Sequence, residues 1–251
     1  MTNPIYQQTF FIGNDDVDCF GRLKPSKLLY FIQEVAGNHF ATLEDRENPI
    51  KDRNLFWAVS RHRLMVERMP RLGETVTVET WPMPTTRVAY PRAMAMYDTE
   101  GHLLASSVSL WVLMDMQSRA MVLPGKSGVT VNGLERGSEP AGPKSLMFKD
   151  LPQTTLHTVT YSLLDVNGHM NNTRYLDWVD DLIPSIYHRD HRLKELTLCY
   201  LSEALEGQKM HLSWNLDSDC LQVDAHREKT DVPGKTERVF SAQVLFTNEL
   251  C

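Results

Sequence analysis

Two stretches of this chain repeat one order of elements, and a repeated supersecondary unit constrains the fold more than any single segment. Residues 5–12 read as a strand, residues 15–22 as a polar loop with one glycine, and Pro25 suits the first turn of a helix. Leu28, Leu29, Phe31, Ile32, Val35, Ala36, Phe40 and Leu43 then form a wide helical stripe. Candidate strands follow at 56–69, 74–81, 87–97 and 102–114, and 74–81 alternates with period two. The second half restarts with a strand at 154–161 and a polar loop at 165–172. Its helical stripe is Tyr175, Trp178, Val179, Leu182, Ile183 and Ile186. Strands at 193–206, 208–216, 220–227 and 239–246 complete it, with a turn at Val232-Pro233-Gly234.

Residue identities repeat as well. Asp16-Val17 matches Asp165-Val166 at an offset of 149, and Gly21-Arg22-Leu23 matches Gly168-His169-Met170 at 147, which predicts two residues lost inside the second loop. Between the halves, Pro124, Gly125, Gly128, Gly133, Gly137, Pro140, Gly142 and Pro143 break any periodicity. The expected plan is an α+β protein with unit 1–123, a linker at 124–153 and unit 154–251. Its strands are expected to be antiparallel because their connections are short.

The second loop is the chemically dense part. Asp165-Val166-Asn167-Gly168-His169-Met170-Asn171-Asn172 places a carboxylate, three carboxamides and an imidazole in eight residues. Ordering such groups costs conformational freedom and desolvation, and a reaction at the site would explain the cost. Imidazole is the one side-chain type among them that exchanges protons near neutrality. The blander reading is structural: Asn167-Gly168 is a turn dipeptide, Asp165 can brace that turn, and Asn172 can cap the helix.

Other chemistries fall away. A formal net charge of −6 disfavours nucleic-acid and anionic-membrane binding. Cys19, Cys199, Cys220 and Cys251 are scattered, no apolar run approaches a membrane span, and residues 1–8 lack a basic and apolar leader pattern. A reduced, cytoplasmic protein is the expectation. No Gly-x-Ser-x-Gly elbow occurs, and His188 and His191 lack the carboxylate or thiolate cluster that would make a metal site.

The run Asn167-Gly168-His169-Met170-Asn171-Asn172, continuing through Arg174-Tyr175-Leu176-Asp177-Trp178, resembles the Asn-x-His-x-x-Asn loop and helix of the bacterial-type acyl-ACP thioesterases. The resemblance extends to residues 57–81 and to Ser109-Leu110-Trp111-Val112. It implies a tandem double hot-dog fold, each half a long helix wrapped by an antiparallel sheet. It further implies hydrolysis of fatty acyl-ACP to free fatty acid and ACP, with no metal or organic cofactor. Acyl carrier protein would be the partner, and a homodimer is left open.

In related single-unit thioesterases the loop reads Asp-x-Asp-x-x-Gly-His-x-x-Asn. Here the first loop has Arg22 for the histidine and Pro25 for the asparagine, so the first unit is expected to carry no active site and to house the acyl chain near residues 28–43. The family's Glu-Tyr-Arg-Arg-Glu-Cys segment aligns with Cys199-Tyr200-Leu201-Ser202-Glu203-Ala204. By resemblance Asp165, Asn167, His169 and Glu203 are the catalytic group, with Glu203 as general base and Asp165 the next candidate. Asn171, Asn172 and Arg174 are the expected substrate-binding group, using outward helix-start amides and a cation facing an acidic carrier. Ala204 removes the cysteine nucleophile, which favours direct attack by water. An acyl-CoA thioesterase of the same fold is the alternative, and a non-catalytic acyl-binding module the rival from another class.

Overall fold

The computed structural model describes residues 4–43, 50–229 and 234–248, so the turn expected at 232–234 lies largely outside the described residues. The chain divides into two compact units, Met1–Pro143 and Lys144–Cys251. The first contains β1 (Tyr6–Phe11), α1 (Pro25–Leu43), β2 (Leu55–Val66), β3 (Thr75–Pro82), β4 (Tyr90–Tyr97), β5 (Leu103–Asp115), β6 (Met121–Val122) and α2 (Pro124–Ser127). The second contains β7 (Gln153–Thr158), α3 (Tyr175–Asp180), α4 (Ser185–Asp190), β8 (His191–Tyr200), β9 (Lys209–Asp217), β10 (Cys220–Glu228) and β11 (Thr236–Asn248). Within the first unit the strand order is β1-β3-β4-β5-β2, with β6 on β5; within the second it is β7-β9-β10-β11-β8. The orders correspond strand for strand, and the pairs within each unit are antiparallel.

Helix α1 begins at Pro25 as its missing N–H allows, and buries Leu28, Leu29, Phe31, Ile32, Val35 and Ala36. Alternating burial on β3, with Val76 and Val78 on one face, gives that helix an apolar sheet face. The second unit keeps the arrangement with one change: its helix comes in two six-residue pieces. Pro184 separates them in extended conformation, because its ring disfavours helix at the preceding residue and cannot donate into the ladder. Tyr175, Leu176, Trp178 and Val179 form the buried face of α3.

The loop correspondence differs from the one the residue identities suggested. Backbone N–H donors pair Asp18 with Arg22 O, Lys24 with Asp16 O, Leu23 with Pro70 O and Gly73 with Ile12 O. In the second unit the same bonds join Asp165 to His169 O, Asn171 to Leu163 O, Met170 to Ala204 O and Gly207 to Val159 O. From Asp18 to Asp165 the offset is 147, as it is from Gly21 to Gly168, so no residues are lost. Asp18, not Asp16, is the counterpart of Asp165. Gly21 and Gly168 both take left-handed φ values, 72° and 77°, at the same step of the same turn.

The glycine- and proline-rich stretch, expected as a linker over 124–153, is divided at Pro143, and its first part packs on the first unit. Tyr90 Oη and Ser127 Oγ lie 2.7 Å apart, Trp81 Nε1 donates to Glu139 at 2.9 Å, and Leu134 N–H donates to Pro82 O at 2.8 Å. Gly133 lies so close to the backbone of Met83 and Pro84 that a Cβ would not fit. Among the described residues no helix is long and apolar enough to cross a membrane.

Candidate active site

Within the second unit, the polar loop is tied to the segment that follows β8. Met170 N–H donates to Ala204 O at 2.8 Å, and His169 forms an isolated antiparallel bridge with Leu205. That bridge brings together two residues far apart in sequence: His169 Nε2 lies 3.4 Å from Glu203 Oε2. The imidazole is largely buried, at 17% exposure, and the carboxylate is 42% exposed, so water can reach the pair from the carboxylate side. A carboxylate only accepts, so a hydrogen bond across this contact requires the proton on Nε2.

Asp165 serves the turn. Its Oδ1 accepts the N–H of Asn167 at 2.8 Å and of His169 at 3.4 Å. Asp18 does the same for Phe20 and Arg22, at 2.8 and 2.9 Å, in the loop that has no imidazole. Bracing therefore accounts for this carboxylate without any reaction. Asn167 sits at the exposed tip of the turn, its backbone N–H held by Asp165.

The helix start differs from expectation. Asn171, rather than Asn172, is the cap: its Oδ1 accepts Thr173 N–H at 2.9 Å and Thr173 Oγ1–H at 2.8 Å. Arg174 N–H donates to Asn171 O at 2.9 Å. The amides expected to point outward at Thr173 and Arg174 are thus already engaged, leaving that of Asn172. Tyr200 Oη–H fixes the same residue by donating to Asn172 O at 2.9 Å; burial pushes the Tyr200 phenol well above its usual range, which keeps it a donor. The Arg174 guanidinium pairs with Asp177 at 3.2 Å on its own helix, an exposed contact worth only a few tenths of a kcal/mol.

Other candidates are accounted for locally. Cys199 is 2% exposed, with its Sγ 3.6 Å from Lys144 O. His188 Nε2 lies 3.0 Å from Asp180 O, and His191 Nδ1 lies 2.9 Å from Tyr187 O. One residue at the site carried no local motif signal. Arg227, on β10, reaches Ser202 Oγ at 2.8 Å and Gln208 Oε1 at 2.6 Å, and bonds Glu203 O.

In the first unit, a cavity of about 730 Å³ opens beside α1. Ala36, Gly37, Phe40, Trp57, Tyr90 and Trp111 line it, with Arg92 as its cation. Arg92 donates to Thr80 Oγ1 at 3.1 Å and lies 3.1 Å from His39 Nδ1; burial lowers its pKa to about 10, so it stays charged at neutral pH.

Comparison with known proteins gives this arrangement a family. The acyl-ACP thioesterase N-terminal domain matches residues 3–123, and the acyl-ACP thioesterase C-terminal domain matches residues 149–243. The chain is 27% identical over 214 residues to a chloroplastic palmitoyl-acyl carrier protein thioesterase of Gossypium hirsutum, covering 79% of this chain and 52% of that one. It is 29% identical over 226 residues to a chloroplastic dodecanoyl-[acyl-carrier-protein] hydrolase of Umbellularia californica, with coverage of 79% and 56%. The chain thus spans about half the length of the curated relatives it matches. Among solved structures, an acyl-ACP thioesterase from Bacteroides thetaiotaomicron aligns with a TM-score of 0.86 at 24% identity, over 97% of this chain and 98% of that one. The 12:0-ACP thioesterase of Umbellularia californica aligns at 0.82 and 22% identity, over 99% of each. These likenesses establish the α+β tandem hot-dog fold. Matched in both halves by the two domains that define one family, the chain belongs to the acyl-ACP thioesterases.

Proposed function

We propose that the protein hydrolyses the thioester between a fatty acyl chain and acyl carrier protein, releasing a free fatty acid and the carrier's thiol. The observation that carries this reading is the contact of His169 with Glu203 in one unit only. The equivalent positions of the other unit hold Arg22 and Met69, which can neither accept a proton from water nor bind it as a base.

In the proposed reaction Glu203 takes a proton from water as the water oxygen attacks the thioester carbon. Asn167 and the amide of Asn172 are the donors available to the developing oxyanion, and His169 Nε2–H holds the carboxylate in place. Collapse expels a thiolate, a leaving group that needs no prior protonation. Ala204 stands where the segment would carry a thiol, and Cys199 is buried, which supports direct attack by water. Asn171 shapes the helix start, and Arg174 is a surface cation for an acidic carrier. The direct test is release of free thiol from acyl-ACPs of graded chain length, with matched acyl-CoAs alongside. Turnover of acyl-ACP in preference to acyl-CoA is expected. No turnover of either would end the enzyme reading, and preference for CoA would reassign the carrier.

The first-unit cavity is the proposed seat of the acyl chain, and its shape makes a second expectation. Gly37 lines the cavity, and a Cβ built on it meets nothing within 4 Å, so a larger side chain there would project into open space. Gly37→Leu should shorten the preferred acyl chain, each excluded methylene costing about 0.8 kcal/mol, roughly fourfold in kcat/KM. Chain-length profiles of the two proteins that coincide would remove the cavity from the acyl path.

A further inference from the structure

We propose that Arg227 is the positioning residue for Glu203, a cation transferred to β10 from the place where the other unit carries it. The duplication makes the comparison internal to the chain. Pro70 corresponds to Ala204 and Gly73 to Gly207, through the same backbone bonds, so Arg68 corresponds to Ser202 and Glu74 to Gln208. On the neighbouring strand Thr77 pairs with Tyr97, and its counterpart His211 pairs with His226; the next residues, Asp98 and Arg227, therefore correspond.

The charges at these positions are inverted between the units. In the first, Arg68 bonds Glu74 at 2.9 Å, lies 3.9 Å from Asp98, and Asp98 in turn pairs with His102 at 3.1 Å. In the second, the cation is Arg227, its neutral partners are Ser202 and Gln208, and Glu237 holds its Nε at 2.7 Å. Arg227 and Glu237 are partners across β10 and β11, as Asp98 and His102 are across the first unit's corresponding hairpin.

Its consequence falls on the site. Glu203 lies in the short segment beyond β8, between Leu201 and Ser202, whose N–H groups both donate to Val239 O, and Ala204, whose carbonyl accepts Met170 N–H. The planar guanidinium grips that segment at Ser202 Oγ, at Glu203 O and at Gln208 Oε1. Gln208 Oε1 also accepts Leu205 N–H at 2.9 Å, and Leu205 is the bridge partner of His169. One side chain thus holds the backbone of Glu203 directly and, through Gln208, the bridge partner of His169. It does so through the carbonyl of Glu203, while the carboxylate contacts His169. A cation at position 202 would instead sit beside that carboxylate in sequence.

The kinetic part of the test rests on the thioesterase reading; an NMR titration of the His169 ring does not. The comparison uses Arg227→Ser, Arg227→Lys, the transposed pair Ser202→Arg with Arg227→Ser, and Arg68→Ser as the matched control in the other unit. Arg227→Ser should lower kcat by roughly 10–100-fold with KM little changed, the scale expected when a reacting group moves by about an ångström. It should also displace the His169 titration in the direction that Glu203→Gln does. Arg227→Lys, which keeps the charge and loses the fork, should remain folded and still lose kcat severalfold. The transposed pair should recover little of the loss, because its cation lies beside the carboxylate and not on the carbonyl of Glu203, and Arg68→Ser should lower the melting temperature without moving kcat or the His169 titration. If Arg227→Ser leaves both readouts at wild-type values, or Arg68→Ser moves them equally, Arg227 is merely structural and the proposal falls. If the wild type hydrolyses no thioester, the function is lost, and the His169 titration alone decides the positioning role.

Discussion

Glu203→Gln should lower kcat for acyl-ACP hydrolysis by roughly 10²–10⁴-fold, the usual contribution of a general base, while KM stays within a few-fold of wild type. Glutamine keeps an oxygen that can accept from His169 Nε2–H, so the 3.4 Å contact survives and only the basicity is removed. Glu203 is an exposed residue outside the regular strands, so folding stability should change by no more than about 0.5 kcal/mol. His169→Ala removes the group that holds the carboxylate and should also cost kcat, with added loss of order from the bridge to Leu205. The two losses should not add, since both act through one carboxylate. Rates measured under single-turnover conditions, with melting temperatures for each variant, check this. Full activity in Glu203→Gln would move the base elsewhere, with Asp165 next in line. Asp165→Asn would then decide, because an asparagine oxygen can still brace the turn through the amides that Asp165 Oδ1 holds.

What the sequence made legible follows from which interactions are local. The order of strands and helices could be read because periodic burial is written into each segment, as in Thr75–Pro82. The contact of His169 with Glu203 could be anticipated only through resemblance, since a two-residue bridge leaves no pattern in either segment. Where two equivalent residues stand close together, sequence could not choose. Asp16 and Asp18 offer two registers for the loop, and backbone bonding selects Asp18. Asn171 and Asn172 offer two caps, and the carboxamide of Asn171 is the one in reach of Thr173 N–H. The stretch at 124–143 has the composition of a linker, yet its glycine permits close backbone packing rather than freedom. Arg227 was invisible because its partners lie at 202, 203 and 208, across β strands rather than along one. Duplication is the signal that could have found it: aligning the units on their backbone bonds shows Arg68 facing Ser202 and Asp98 facing Arg227.

Acidification should destabilise the first unit through His62. This side chain is buried on β2, its Nε2 has no hydrogen-bond partner among the described residues, and burial lowers its pKa from 6.5 to about 4. The native form is therefore the neutral form. Above pH 6.5 neither the native nor the unfolded chain protonates this ring, and it contributes no pH dependence. Between pH 6.5 and about 4 the unfolded chain binds a proton that the native chain does not, so stability falls as pH falls. The slope is about 1.4 kcal/mol per pH unit, and the loss over the window is about 3 kcal/mol. Carboxylates and other histidines titrate over the same range; His157, for one, is also lowered by burial. The expected result is therefore a difference between two proteins. In urea denaturation from pH 4 to pH 7.5, His62→Met should show a pH slope shallower than wild type by one proton, whatever the cost of the substitution at pH 7.5. That cost shifts the whole curve, whereas the proton count sets its slope, so even a destabilised variant answers the question. Equal slopes in the two proteins would mean that His62 takes up its proton in the native state, and that burial at β2 does not hold it neutral.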